Sequence, residues 1–320
     1  MKNFAITGVA GYIAPRHLQA IKETGNQIVA AVDPHDSVGI LDKYFPDVSF
    51  FTEFERFDRH LEKLRRDRSL QKVDYLAICS PNNLHDAHIR LALRVGAHAI
   101  CEKPLVLNPW NLDALQELEA ESSARVFTIL QLRLHPALRE LKEQLSKEQP
   151  KRKHDVVLTY ITPRGLWYYY SWKGTLEKSG GIATNIGIHF FDLLMWLFGD
   201  VQSNIIHLKE DKKMSGFFEL KNANVKWFLS TDYSDLPEVI NKTGASTFRS
   251  ITVDGKEIQF SQGFTDLHTR IYEETIDGKG FGIEDARPSI TLVHKLRTLS
   301  TIESLDNIHP FALRYKQKGY

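Results

Sequence analysis

Three short stretches of this chain combine residue types able to do redox or proton chemistry. In Glu102-Lys103-Pro104 a lysine follows the apolar run Ala99-Ile100-Cys101. A lysine leaving a strand end into a partly desolvated pocket has its cationic form disfavoured, which suits it to accept or relay a hydroxyl proton near neutral pH. Pro104 restricts the backbone behind it. Spacing alone does not separate this reading from a surface ion pair of Lys103 with Glu102. The second stretch, Gly8-Val9-Ala10-Gly11-Tyr12-Ile13-Ala14, follows one apolar run and opens a helical pattern. The N–H groups of Gly8, Ala10, Gly11, Tyr12 and Ile13 can there meet a dinucleotide pyrophosphate at a helix N-terminus. Ala10 and Ala14 depart from the G-x-G-x-x-G pattern. Asp33, about 20 residues on, can accept the adenosine ribose hydroxyls and would repel a 2′-phosphate, so NAD is favoured over NADP. The alternative is a packing turn beside a solvated carboxylate. In the third stretch, Cys79-Ser80-Pro81-Asn82-Asn83-Leu84-His85, the residues Ser80, Asn82 and His85 are placed to line the nicotinamide side, although an asparagine here also serves as a plain helix cap. Glu102 and Gln131, at two further strand ends, complete the cofactor candidates.

These residues need a parallel sheet to bring strand ends together. Short apolar runs at 3–7, 28–32, 49–51, 74–79, 98–101 and 125–130 alternate with helical periods at 15–24, 38–44, 55–68, 83–95 and 109–122, the pattern of a doubly wound α/β unit. Ligands of such sheets sit outside the carboxyl ends of the strands. A helical segment at 134–147 runs into the charged break Gln149-Pro150-Lys151-Arg152-Lys153. The expected division is 1–132, a Rossmann-type dinucleotide-binding domain, and 133–320, an α+β domain. In the latter, period-two runs at 155–162, 204–208, 216–220, 225–231, 248–253 and 257–260 predict a large open, mainly antiparallel sheet. Asp254-Gly255 marks a hairpin between the last two runs. Helices are expected at 187–198 and 284–299, and the last twenty residues read as weakly ordered or docked.

The 320 residues exceed the span usual for one domain. Lys and Arg number 41 against 40 Asp and Glu, a formal charge of +1, which leaves no footprint for nucleic acid or a membrane surface. The start of the chain has no room for a secretory signal, and the apolar stretch 186–198 is short for a bilayer and contains His189 and Asp192, so a cytoplasmic protein is expected. The two cysteines, Cys79 and Cys101, lie in apolar runs and read as buried thiols, with no metal site.

The glycine-rich start, Ser80-Pro81-Asn82 with His85, and Glu102-Lys103-Pro104, in this order, resemble the glucose-fructose oxidoreductase/inositol dehydrogenase family. The resemblance covers nearly the whole chain. It implies that Lys103 contacts substrate and cofactor, and that a second segment supplies further groups. That segment is Gly180-Gly181-Ile182-Ala183-Thr184-Asn185-Ile186-Gly187-Ile188-His189 here. The family's usual aspartate is Asn185, which hydrogen-bonds a sugar hydroxyl but takes no proton. His189, four residues on and on the same helical face, then becomes the candidate base, or shares the proton with Lys103.

Within the family, the stretches 11–17, 32–39, 182–189 and 263–268 resemble a subgroup that oxidises C3 of UDP-N-acetyl-glucosaminuronic acid to the 3-keto sugar, on the way to a diacetamido uronic acid of lipopolysaccharide O-antigen. A UDP-linked uronic acid calls for cations. Arg164 and Lys173 lie among Trp167, Tyr168, Tyr169, Tyr170 and Trp172, which can stack on sugar rings or line a subunit interface. Arg133 and His135 are lesser candidates, and Arg287 is a candidate for the diphosphate. The resemblance also implies a homo-oligomer, dimer or tetramer. A free sugar or polyol substrate, or a dinucleotide sensor without catalysis, stands as the alternative.

Overall fold

The computed structural model describes residues 1–67, 71–147, 152–238, 240, 245–258 and 266–317. The chain forms two units, Met1–Leu134 with Thr265–Arg287, and His135–Phe264 with Pro288–Tyr320. It therefore crosses between units three times, where the sequence placed one crossing after residue 132. Of the charged break expected at 149–153, residues 149–151 lie outside the described residues.

The first unit is built on six parallel strands: β1 (Asn3–Thr7), β2 (Gln27–Val32), β3 (Ser49–Phe51), β4 (Tyr75–Ile78), β5 (His98–Cys101) and β6 (Val126–Thr128). Their order is β3-β2-β1-β4-β5-β6. β1 and β4 are buried along their whole length, as strands covered on both faces must be. Strand order reverses between β1 and β4, which opens a crevice at their carboxyl ends. The glycine-rich turn leaves β1, Ser80 follows β4 and Glu102 follows β5, so all three predicted stretches sit on that rim. The returning segment 265–287 belongs here for a physical reason. Thr128 N–H on the edge strand β6 donates to Phe281 O at 2.8 Å, and the buried Arg133 guanidinium donates to a carboxylate oxygen and the carbonyl of Asp285, both at 3.0 Å. Edge groups and a buried cation are thereby satisfied.

The second unit holds β7 (His154–Ile161), β8 (Val201–Lys209), β9 (Lys213–Leu220), β10 (Ala223–Ser230), β11 (Phe248–Val253) and β12 (Lys256–Glu257), in the order β12-β11-β7-β10-β9-β8. Every pair is antiparallel except β7 with β10, so the sheet is mixed and mainly antiparallel. Asp254 and Gly255 turn the β11–β12 hairpin with φ of 49° and 78°, the left-handed pair such a turn requires. β12 is shorter than the expected 257–260, of which 259–260 lie outside the described residues. On one face Phe191 of the helix Ile188–Phe198 packs edge-on against Phe218 and Trp227, with centroids 5.0 and 5.1 Å away. On the other, Ile161 and Phe228 cluster with Ala312 of the helix Pro310–Gln317, so that helix is docked. The helical run Leu176–Phe198 is longer than expected and, by length and composition alone, long and apolar enough to cross a membrane. Its apolar window is 72% buried inside the protein, as in a core helix.

Candidate active site

In the first unit, the turn after β1 must be glycine at its first position. Gly8 has φ of 75°, and a Cβ there would lie 2.6 Å from the Cys79 carbonyl and the Ser80 nitrogen. A Cβ on Gly11 would come within 2.9 Å of Gly8 O. The turn feeds the ten-residue helix Ala14–Glu23, whose first N–H groups and positive end face the carboxyl side of the sheet. Asp33 ends β2 and is buried. One of its oxygens accepts from Ala10 N–H at 3.0 Å and the other from His35 N–H at 2.9 Å. A carboxylate has about four acceptor positions, so capacity remains for two ribose hydroxyls. The backbone N–H of Ala10, expected to face a phosphate, is instead what fixes Asp33. Tyr12 is exposed beside the turn, with Ile13 at the helix start. At the other end of the crevice Gln131 Oε1 is buried with no hydrogen-bond partner among the described residues. Such an orphan is costly unless a ligand donates to it, and a nicotinamide carboxamide is a donor of the right kind. The residues present thus fit a dinucleotide.

Two residues predicted to line the nicotinamide turn inward instead. Ser80 is buried, and its hydroxyl lies 2.9 Å from His88 Nδ1. His85 is fully buried, with Nδ1 2.7 Å from Pro104 O and Nε2 2.9 Å from Ser80 O. Burial pushes its pKa down while the two carbonyls pull it up. Its ring nitrogens are committed to backbone, so it clamps the strand end at Ser80 to the segment bearing Lys103. Asn82 is buried at the start of a short turn after Pro81.

Glu102 is buried and ionised. Burial favours its neutral form, but hydrogen bonds from His17 and His268 outweigh this and hold the carboxyl well below the usual range. It faces these two histidines and the Lys103 N–H, so its place is beneath the segment that bears Lys103. Neither histidine stands out by local pattern, although both lie in stretches that carry the subgroup resemblance. Burial pushes the thiols of Cys79 and Cys101 well up, which keeps them protonated.

In the second unit, Gly187 lets the helix lie on β10. A Cβ there would meet Leu229 at 2.6 Å and Phe191 at 2.8 Å. Residues Ala183–Gly187 form a π-turn that runs into the helix Ile188–Phe198, a local widening that often marks a functional position. Asn185 and His189 are half-buried while the residues between them are buried, so both open on one side of the element. Asn185 Nδ2 donates to the Tyr168 hydroxyl at 2.7 Å. Tyr168 is itself buried, which pushes its pKa up, and the Arg164 guanidinium lies 5.8 Å from its ring centre. Lys173 Nζ lies 4.4 Å from the Trp172 ring centre and 5.8 Å from that of Trp167. Its pKa is pushed down, first by burial and then by Arg164. Two cations that influence each other, each over aromatic faces and neither with an ion-pair partner among the described residues, are an arrangement suited to an anion.

Arg287 is placed elsewhere. Its guanidinium donates to Glu284 at 2.9 Å, Asp113 at 2.7 Å and Gln116 at 3.0 Å within the first unit. All three nitrogens are engaged, so a role on the diphosphate would need it to exchange or share these partners. Arg133 is likewise committed to Asp285.

The fold and crevice define a dinucleotide-binding dehydrogenase of two units. The chain belongs to the GFO/IDH/MocA oxidoreductase family: residues 2–130 match its NAD-binding Rossmann fold and residues 154–235 its C-terminal alpha/beta domain. It is similar to the WlbA (WbpB) dehydrogenase of Thermus thermophilus, solved in complex with NAD and alpha-ketoglutarate, at 54% identity and a TM-score of 0.93 over 97% of this chain and 100% of that one. The same dehydrogenase in complex with NAD and UDP-GlcNAcA gives 53% identity, a TM-score of 0.93 and the same coverage. A putative oxidoreductase of Bacillus subtilis, YteT, is 26% identical over 205 residues, 62% of this chain but only 47% of that protein, so the chain spans about half the length of this curated relative.

Proposed function

We propose that this protein oxidises the C3 hydroxyl of UDP-N-acetylglucosaminuronic acid (UDP-GlcNAcA) to a ketone with NAD⁺, as a step toward a diacetamido uronic acid of a surface polysaccharide. The observation that carries this reading is the pair of cations, Arg164 and Lys173, set over Trp167, Tyr168 and Trp172 without carboxylate partners among the described residues. The Thermus thermophilus relative solved with UDP-GlcNAcA supports the same ligand. When bound, NAD⁺ supplies the hydride acceptor. Gly8, Gly11, Tyr12 and Ile13 hold its pyrophosphate, Asp33 its ribose, and Gln131 its carboxamide. Arg164 and Lys173 bind the uronate carboxylate or diphosphate. Asn185, fixed by Tyr168, positions a sugar hydroxyl. Lys103 and His189 share the proton that leaves the C3 oxygen as the C–H bond there breaks, so one alcohol yields one ketone, one NADH and one proton. Substrate and cofactor are polyanions that do not cross membranes unaided, which fits action in the cytoplasm. A homo-oligomer is the assembly proposed, to be checked by light scattering.

The thermal midpoint tests the substrate class, because a ligand that binds only the native state raises it. UDP-GlcNAcA should raise it more than free glucuronate or myo-inositol. A larger shift with the free polyol would move the protein to a polyol dehydrogenase. Alpha-ketoglutarate bound to the Thermus thermophilus relative supports a second half-reaction, in which the oxo acid and a proton reoxidise NADH and leave a 2-hydroxy acid. Adding it to the reduced protein should bleach the NADH absorption band. Persistence of the band would exclude it.

A further inference from the structure

Glu102, His17 and His268 form one buried site assembled from three distant parts of the first unit: the end of β5, the helix behind the glycine-rich turn and the helix Leu267–Ile276. Glu102 Oε1 lies 2.9 Å from His17 Nε2 and 3.2 Å from His268 Nε2. Glu102 Oε2 accepts the Lys103 backbone N–H at 3.3 Å. His17 Nδ1 lies 2.7 Å from the Tyr272 hydroxyl. An ionised carboxylate only accepts, so His17 donates to it from Nε2 and accepts a hydrogen bond from the tyrosine hydroxyl on Nδ1.

The three side chains lie close enough to suggest a metal site. The geometry argues otherwise. A tetrahedral zinc ion about 2.0–2.1 Å from each ligand would hold those atoms about 3.3 Å apart. Both imidazoles instead converge on the same oxygen, at 2.9 and 3.2 Å, and His17 Nε2 is engaged as the donor to it. This is a hydrogen-bonded cage around a carboxylate.

A buried carboxylate is expensive to keep, and a neutral side chain of similar volume would stabilise the fold at least as well. Its position immediately before Lys103 gives it a use. We propose that His17 and His268 are positioning residues for Lys103: through Glu102 they lock the backbone from which that lysine projects and tie it to the helix behind the glycine-rich turn. This rests on the reading of Lys103 as the residue that handles the substrate proton. The other titratable groups around the carboxylate are Tyr272, Cys79, Cys101, His85 and Lys103, with Arg16 beyond His17. Burial keeps the phenol and both thiols protonated and pushes His17 and His85 down. Glu102 is thus the group whose charge the cage controls.

The test is the pH profile of kcat in His268→Phe, which keeps a ring but removes a donor. With burial less opposed, the Glu102 carboxyl then titrates higher. kcat should fall about tenfold on the acid side of neutrality, on the scale of a misplaced proton-transfer group, while KM for NAD⁺ stays within about threefold. His268→Gln, which restores a donor, should recover most of the loss. A folded His268→Phe protein with the wild-type profile overturns the proposal. Should that variant fail to fold, Glu102→Gln carries the test: about tenfold lower kcat with unchanged KM for NAD⁺ supports it, and wild-type kcat overturns it. Lys103→Ala, assayed alongside, separates the two levels. If it keeps turnover, the reading of Lys103 fails, whereas if it loses turnover and the other variants match wild type, only the cage assignment fails.

Discussion

In the first unit Glu102, His17, His268, His85 and Ser80 are buried, and their polar atoms meet partners inside the protein. In the second, Arg164 is exposed, Lys173 half-buried, and neither has a carboxylate partner among the described residues, while Trp167 and Tyr170 beside them are 58% and 86% exposed. The contrast separates two jobs. A cofactor of fixed shape suits geometry settled at folding, where paired groups hold the backbone in place. On the proposed function, an anionic substrate would be met by charges left in water, whose attraction grows when the ligand excludes that water. Variants in the first unit should therefore disturb kcat or stability, and those in the cation cluster should disturb KM.

The largest effects are expected at Lys103 and His189. Lys103→Ala and His189→Ala should each lower kcat by about 10²-fold or more, the usual scale for acid–base groups, and leave NAD⁺ affinity within a few-fold by titration. Loss of NAD⁺ affinity with kcat retained would remove them from the proton path. Next comes the cation cluster. Arg164→Ala should raise KM for UDP-GlcNAcA about tenfold, the worth of one charge-assisted hydrogen bond, with little change for UDP-GlcNAc, which keeps the diphosphate but lacks the carboxylate. An equal rise for both would move Arg164 from the carboxylate to the diphosphate.

Acid should weaken both units, because each buries a neutral histidine. Burial lowers the pKa of His88 to about 3 and that of His309 to about 3. Below about 6.5 the unfolded chain binds these protons and the folded chain does not, so stability falls as pH drops from about 6.5 toward 3. The slope is about 1.4 kcal/mol per pH unit for each. Urea denaturation of His309→Gln, compared with wild type across that window, should give a shallower decline, and an unchanged slope would remove His309 from the account. The smallest effect is local: Gly187→Ala forces a Cβ into Leu229 and Phe191 and should cost about 1–3 kcal/mol, as overpacking does. A neutral result by calorimetry would show that the helix can ride up on β10.

How much was legible in the sequence follows the same divide between local and distant. β1, β3, β5 and β11 coincide with their expected ranges, because each is an apolar or β-branched run bounded by turn or polar residues. The Rossmann-type order and the glycine-rich turn followed from local pattern plus topology rules. The parallel pairing of β7 with β10 did not, since period-two alternation says nothing about direction. Nor did the return of 265–287 to the first unit, where Arg133 finds Asp285 across 152 residues. Glu102 was legible as a site residue, but its partners were not: His17 and His268 lie 85 and 166 positions away. The partners of Arg287 were hidden for the same reason, Asp113 and Gln116 being 174 and 171 residues distant.

The central claim is that this protein oxidises UDP-GlcNAcA with NAD⁺ and that Lys103 handles the proton. Mixing the purified protein with NAD⁺ and UDP-GlcNAcA and following the absorption band of NADH tests it most directly. The expected result is one NADH for each 3-keto sugar formed, at a rate cut about 10²-fold by Lys103→Ala and much lower with UDP-GlcNAc. NADH formed equally fast from myo-inositol, or none formed from UDP-GlcNAcA by the folded wild-type protein, would contradict it.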